Sequence, residues 1–177
     1  MYTECFPIFI NWYPESRVLY LPSNGRIAFT LRSELAEATA KLILQGGHNK
    51  QIVLLTALET VSFSEIVKLI NETTNRHVRL EIVSPEHYVQ QNGTNDPGKK
   101  PAVFYEMLVS WYDGIAKGDV STTDPLMKKL LGREPTDPRT ALRQLLQHDP
   151  DYTWHQNYAD QGQYHATLKR KRESVNK

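Results

Sequence analysis

The chain has 177 residues, 40% of them apolar and 23% charged, enough for one domain with a buried core and too apolar for a disordered chain. Lys and Arg number 21 against 20 for Asp and Glu, a net charge of +1 that exerts no global pull toward nucleic acid or anionic lipid. The single cysteine, Cys5, excludes an intrachain disulfide and a cysteine-rich zinc site, and fits a reducing compartment.

The opening, MYTECFPIFINWYPE, is a dense apolar and aromatic cluster. It has no basic start, and Glu4, Asn11 and Glu15 interrupt it, so it does not read as a secretory signal. No apolar run reaches the length of a membrane span, and a cytoplasmic protein is expected. Gly25 to Thr30 (GRIAFT), after the turn-forming SNG, reads as a short strand. Ser33 to Leu44 follows as a helix with an apolar face at Leu35, Ala38 and Leu42, Ser33 as N-cap and Glu34 favourable to the dipole. Gly46-Gly47 ends that helix. QIVLLTA, from Gln51, is a continuous apolar run that reads as a strand buried on both faces, as in a parallel sheet.

The next helix start is the clearest in the chain. Ser62 and Glu65 have the spacing of a capping box, with Val61 and Ile66 flanking it as a hydrophobic staple, and the helix should run to about Thr74. His77 to Val83 reads as a strand. Ser84-Pro85 starts a short helix, and QNGTNDPGKK is a polar loop. From Pro101 to Ala116 the spacing predicts a helix whose apolar face carries Phe104, Met107, Leu108, Trp111 and Ile115. Asp124-Pro125 and Asp137-Pro138 each announce another helix, and Gly132 closes the first of these. The order is strand, helix, strand, helix, strand, then helices: an α/β signature with few strands and a helical cap. Residues 1–147 form the expected domain, and 148–177 a polar, flexible tail.

Familiar catalytic patterns do not occur. There is no G-x-G-x-x-G, no Walker A loop and no G-x-S-x-G elbow. The histidines lack metal-ligand spacing, so no metal is expected. The nearest Tyr–Lys spacing, Tyr112 to Lys117, is one residue longer than the helical step that puts both on one face. Cys5 lies beside Glu4, which raises rather than lowers a thiol pKa, and so reads as a packed thiol. Trp111-Tyr112 reads either as pocket lining or as a core Trp111 beside a boundary Tyr112. The run KRKR at 169–172 reads as a solvated terminal stretch, with nuclear import or nucleic-acid contact as the alternative.

Three stretches carry a resemblance to a known family. YTECF resembles the Tyr-Thr-Glu-Asn-(Phe/Tyr) segment of the NmrA-like family of atypical short-chain dehydrogenase/reductases. GRIAFTLRSELAEATAKLIL resembles its Gly-Lys-Ile-x-x-x-x-Arg-x-Asp-Leu-Ala-x-Ala-Ala stretch. VSWYDGIAKGDV followed by LLGREPTD is similar to its Ser-Trp-Asp-x-Gly-x-x-x-Gly and Leu-x-Gly-Arg-x-Pro-Thr motifs. Within the family, the NAD(P)H-dependent quinone oxidoreductase branch is the most similar. The chain departs from the pattern at Cys5 (Asn in the family), at Glu34 (Asp), and at Trp111-Tyr112-Asp113, where Tyr112 stands between the Trp and the Asp.

The resemblance runs from about Tyr2 to Leu146 and covers only the family's C-terminal half. It implies the substrate-binding part of an NAD(P)-binding Rossmann-type fold without the N-terminal half that holds the glycine-rich loop. It implies NADP or NAD as the cofactor of full-length relatives and none for this chain alone. By the same resemblance the substrate is a small planar molecule such as a quinone, bound by Tyr2, Thr3, Phe6, Phe104, Met107 and Trp111, with Tyr2 and Thr3 near the nicotinamide. The expected function is NAD(P)H-dependent reduction of a quinone or related carbonyl by the lineage, with this chain a truncated, inactive form. Two alternatives stand beside it: a non-catalytic redox-sensing regulator or protein-binding module, and an inactive fragment that self-associates through an exposed strand.

Overall fold

In the computed structural model, which describes residues 1–153, the first strand is one that the sequence reading passes over. Val18–Leu21 (β1) lies between Pro14 and Pro22 and alternates half-buried and buried side chains. It pairs in parallel with Arg79–Ile82 (β4), Val18 opposite Arg79 and Leu21 opposite Ile82. The expected strand Gly25–Thr30 shrinks to Arg26–Ile27 (β2), antiparallel to Val61–Ser62 (β3). Its far end, Thr30, forms an isolated parallel bridge with Tyr2. Gly25 lies where an added Cβ would come 2.5 Å from Ile115 Cγ2, so only glycine lets this strand approach the long helix.

QIVLLTA is not a strand. Residues 51–57 join no ladder, Ile52 is 104% exposed and Leu54 41%. A continuous apolar run forms a buried strand only when neighbours pair with both of its edges, and the described residues supply neither.

Helices make up most of the described fold. A 3₁₀ turn at Thr3–Cys5 leads into Phe6–Ile10 (α1), then Arg32–Gln45 (α2) and Phe63–Thr74 (α3). Pro85–Asn95 (α4), Ala102–Lys117 (α5), Leu126–Leu131 (α6) and Pro138–His148 (α7) follow. The capping box forms as read: Ser62 Oγ accepts from Glu65 N–H, and Ser62 N–H donates to Glu65 Oε2 at 2.9 Å. Val61 and Ile66 are fully buried beside it. Ser84 and Asp137 accept the N-terminal amides of α4 and α7.

Three expectations are corrected. Ser33 does not cap α2; the helix starts at Arg32, whose N–H donates to Glu4 Oε1 at 3.0 Å from the N-terminal turn. The polar stretch QNGTNDPGKK is helical as far as Asn95, because α4 and α5 cross so closely at Gly93 that an added Cβ would lie 3.2 Å from that of Ala102. In α5 the buried face is Tyr105, Leu108, Tyr112 and Ile115, turned away from Met107 and Trp111. Tyrosine displaces the purely apolar choice because its hydroxyl finds a partner: Tyr112 donates to Phe9 O at 2.7 Å and Tyr105 to Asn11 Oδ1 at 3.3 Å.

The main core runs from α1 through β1, α3, α4 and α5 to α7, with α3 against α7 and α4 against α5. A second cluster under α2 joins Ala38 to Met127, Leu130 and Leu131 of α6. The packed body continues past α7: Trp12 Nε1 donates to Tyr152 O at 2.9 Å and Tyr152 OH to Glu4 O at 2.7 Å. The rest of the expected tail, including KRKR, lies outside the described residues.

Candidate functional site

The opening segment is held by the strand end beside it. Thr3 N–H donates to Thr30 O at 3.0 Å and Thr30 N–H to Met1 O at 2.9 Å. Thr30 Oγ1 in turn accepts from Ala57 N–H at 3.0 Å. This pins Tyr2, 44% exposed, at the mouth of an open groove of about 480 Å³ along α2. Arg32, Leu35, Thr39 and Ile43 also line it. Thr3 is fully buried, and its Oγ1 has no hydrogen-bond partner among the described residues. Phe6 is fully buried and stacks on Tyr152 at 5.8 Å. Burial raises the Cys5 thiol pKa; Arg32 opposes that and Glu4 adds to it, so the thiol stays protonated near neutrality.

Three of the predicted residues lie on α5. Met107 and Trp111, with Val103 one turn earlier, form an i, i+4, i+8 stripe that the fold leaves open to water. Trp111 is not idle: one side of its ring rests on Phe9, centroids 6.0 Å apart, and Phe9 meets Phe29 edge-on at 5.9 Å. Of the two readings of Trp111-Tyr112, the core-and-boundary assignment is reversed, since Tyr112 is the core residue and Trp111 the boundary one. Phe104 is half-buried, its ring 5.7 Å from Lys100 Nζ. The six residues therefore divide: Tyr2, Met107 and Trp111 present surface to solvent, Phe104 does so in part, and Thr3 and Phe6 stand behind. None of Phe104, Met107 and Trp111 lines the α2 groove.

One polar cluster escapes sequence reading. Lys100 Nζ donates to Tyr13 OH at 2.6 Å and to Asp96 Oδ1 at 2.8 Å, and Tyr13 OH lies 3.0 Å from Asp96 Oδ1. The rings of Tyr13, Phe104 and Tyr105 surround the ammonium at 5.0, 5.7 and 5.6 Å. Burial pushes the Asp96 carboxyl upward, but hydrogen bonds from the Lys100 side chain and backbone outweigh it, leaving the pKa below its usual range. Burial lowers that of Lys100 against the pull of Asp96. A Tyr–Lys pair thus exists in space, 87 residues apart in sequence, which no short spacing could reveal. The pair is enclosed by protein and ties the α4–α5 connection to the segment after α1.

Two stretches of the family resemblance meet. Glu34, 5% exposed, accepts from Arg133 Nη1 at 2.5 Å, from Thr136 N–H at 2.9 Å and from Thr136 Oγ1 at 2.9 Å. The Arg-x-Glu-Leu-Ala stretch and the Leu-Gly-Arg-x-Pro-Thr stretch therefore act as two sides of one clamp holding α6 and the start of α7 on α2. The longer Glu34 suffices where the family has Asp.

A dinucleotide needs glycines between a strand and a helix N-terminus, where amides and the positive dipole end face the diphosphate. The glycines with left-handed backbone, Gly46, Gly47, Gly118 and Gly132, all lie at or just beyond helix C-termini. There the carbonyl end repels phosphate, so these residues do not fit that group. Among the described residues no cluster of His, Cys, Asp and Glu could hold a metal, and no helix is long and apolar enough to cross a membrane.

No protein-family model matches the chain. It is 52% identical over 159 residues to an NmrA-like family domain-containing oxidoreductase, flvB, of Aspergillus flavus, a match covering 90% of this chain and 52% of that protein. The fold is similar to that of an NADPH-dependent quinone oxidoreductase from Escherichia coli, with a TM-score of 0.69 at 19% identity over 82% of this chain and 52% of the other. It is also similar to Citrobacter sp. triphenylmethane reductase complexed with NADP(H), with a TM-score of 0.65 at 24% identity over 79% and 50%. The chain thus spans about half the length of each of these three proteins. In sequence the chain is similar to an NmrA-like family oxidoreductase, and its fold is that of the C-terminal half of the NAD(P)-binding Rossmann-like reductases it resembles.

Proposed function

We propose that this chain is the substrate-holding lobe of an NAD(P)H-dependent reductase, receiving a small planar acceptor such as a quinone against an apolar wall built by Met107 and Trp111. The nucleotide belongs to a second lobe, and the 177-residue chain alone does not hold it. The observation that carries this reading is the α5 stripe. Met107 is 52% and Trp111 43% exposed in a helix whose other face is fully packed. Covering such side chains is worth about 1.5–3 kcal/mol each when burial is complete, and a flat ring laid on Trp111 recovers part of that. Phe9 braces the indole from behind, so the surface is set before the acceptor arrives. Tyr2 lies apart from this wall, on the α2 groove, and Phe6 stacks on Tyr152 instead.

The test joins this chain to the nucleotide-binding half of the Aspergillus flavus relative and follows NADPH oxidation with a simple quinone. Trp111→Ala should raise KM about tenfold, the loss of about 1.4 kcal/mol of apolar contact, with kcat less affected. Unchanged KM in both Trp111→Ala and Met107→Ala would sink the assignment of the wall.

A further inference from the structure

We infer that the Tyr112 hydroxyl is a positioning group for the α5 wall: it holds the last turn of α1, which sets the Phe9 ring and, through that ring, the plane of Trp111. This deepens the function proposed above and rests on its assignment of the wall. Phe9 lies in the last turn of α1, where carbonyls have no amide of their own helix to accept from. The amide four residues on, that of Tyr13, donates to Ser16 Oγ at 3.2 Å. Tyr112 takes its place, its hydroxyl donating to Phe9 O at 2.7 Å inside the core. Tyr88 OH donates to the same hydroxyl at 3.4 Å. The rings of Tyr88 and Phe63 meet the Tyr112 ring edge-on, with centroids at 5.1 and 5.7 Å, and leave the phenol little room to turn. Burial raises its pKa well above the ordinary tyrosine range, with Tyr88 adding to the shift, so the donor persists at any working pH.

From Phe9 the path to the wall is short. Its ring meets the fully buried Phe29 edge-on at 5.9 Å and the partly exposed indole of Trp111 at 6.0 Å. Trp111 and Tyr112 are adjacent in sequence, yet they meet Phe9 at different points, one on its ring and the other on its carbonyl. A partly exposed side chain loses rotamer freedom when a ligand immobilises it, and a brace set beforehand lowers that cost. Tyr112 stands where the chain departs from the Trp-Asp of the family motif, so the motif does not predict this contact.

The experiment labels the full 177-residue chain with 5-fluorotryptophan and follows the Trp111 resonance by fluorine NMR, assigned by its loss in Trp111→Phe. Tyr112→Phe keeps the ring that fills the core and removes only the donor. It should shift and broaden the Trp111 resonance, as should Phe9→Leu, which removes the brace itself. Tyr88→Phe takes a hydroxyl from the same core without touching Phe9 O, and should leave the resonance in place. In the enzyme joined to the nucleotide-binding half of the Aspergillus flavus relative, Tyr112→Phe should raise the acceptor KM about threefold, with kcat and the KM for NADPH unchanged. Three results overturn the inference. One is an unmoved Trp111 resonance in Tyr112→Phe or in Phe9→Leu. Another is an equal shift in Tyr88→Phe, the mark of a core loosened in general. The third is an acceptor KM that responds to Trp111→Ala but not to Tyr112→Phe. A KM indifferent to both Trp111→Ala and Met107→Ala would refute the wall instead, while a shifted resonance in Tyr112→Phe would leave the hold of Tyr112 on Trp111 standing.

Discussion

At the scale of single residues, the buried charges have the largest effects on stability. Asp96 and Lys100 have side chains 1% and 6% exposed, and each is the other's counter-ion. Asp96→Asn removes the negative charge that Asp96 sets against the buried ammonium and should cost about 3–5 kcal/mol in urea denaturation. The acid limb of the stability curve has a second named contributor. Burial pushes the Glu65 carboxyl upward, but the Ser62 amide and hydroxyl and the Arg139 guanidinium overcome it, and its pKa is lowered from 4.5 to about 2. A depressed folded pKa means that its stabilisation is present above pH 4.5 and is lost as the pH falls from there toward 2. Glu65→Gln should therefore flatten the pH dependence in that window, as read by thermal melts at successive pH values.

Among the elements, α2 and α3 show two ways of starting a helix. The amides of α3 are capped from within its own sequence, and Ser62→Ala should cost about 1 kcal/mol in chemical denaturation. Those of α2 are met by Glu4, 28 residues upstream, which couples the N-terminal turn to the helix. The capping box was legible because both partners lie within four residues; the Glu4 cap was not, because nothing local demands it. The same distinction explains α5. Periodicity located the helix and placed Leu108 and Ile115 in the core correctly, but chose Phe104 and Trp111 over their neighbours Tyr105 and Tyr112, since it could not see that the two tyrosines would find hydroxyl partners there. Glu34→Gln removes the full charge on which Arg133 and the Thr136 amide converge, and should cost about 1.5–3 kcal/mol while loosening α6 from α2. Faster amide exchange in 126–131 would report it.

For the whole molecule, the central prediction concerns nucleotide. A ligand present at 100 times its Kd raises stability by about 2.7 kcal/mol, a clear rise in melting temperature. NADPH should leave the melting temperature of this chain unchanged, since its left-handed glycines sit at helix C-termini; a saturable rise would refute that. The sequence by itself determined what depends on near neighbours: the helices at 63–74 and 138–148 with their caps, the start of the one at Pro85, the α/β order, and the NmrA-like resemblance that the 52% identical relative bears out. Only the tertiary structure decided what depends on residues far apart. It set Lys100 on Tyr13, closed the Glu34 clamp, turned Trp111 outward, and left Gln51–Leu55 without a ladder. Propensity and spacing act within a turn or two of chain, whereas burial and strand pairing depend on which distant surface is there to meet.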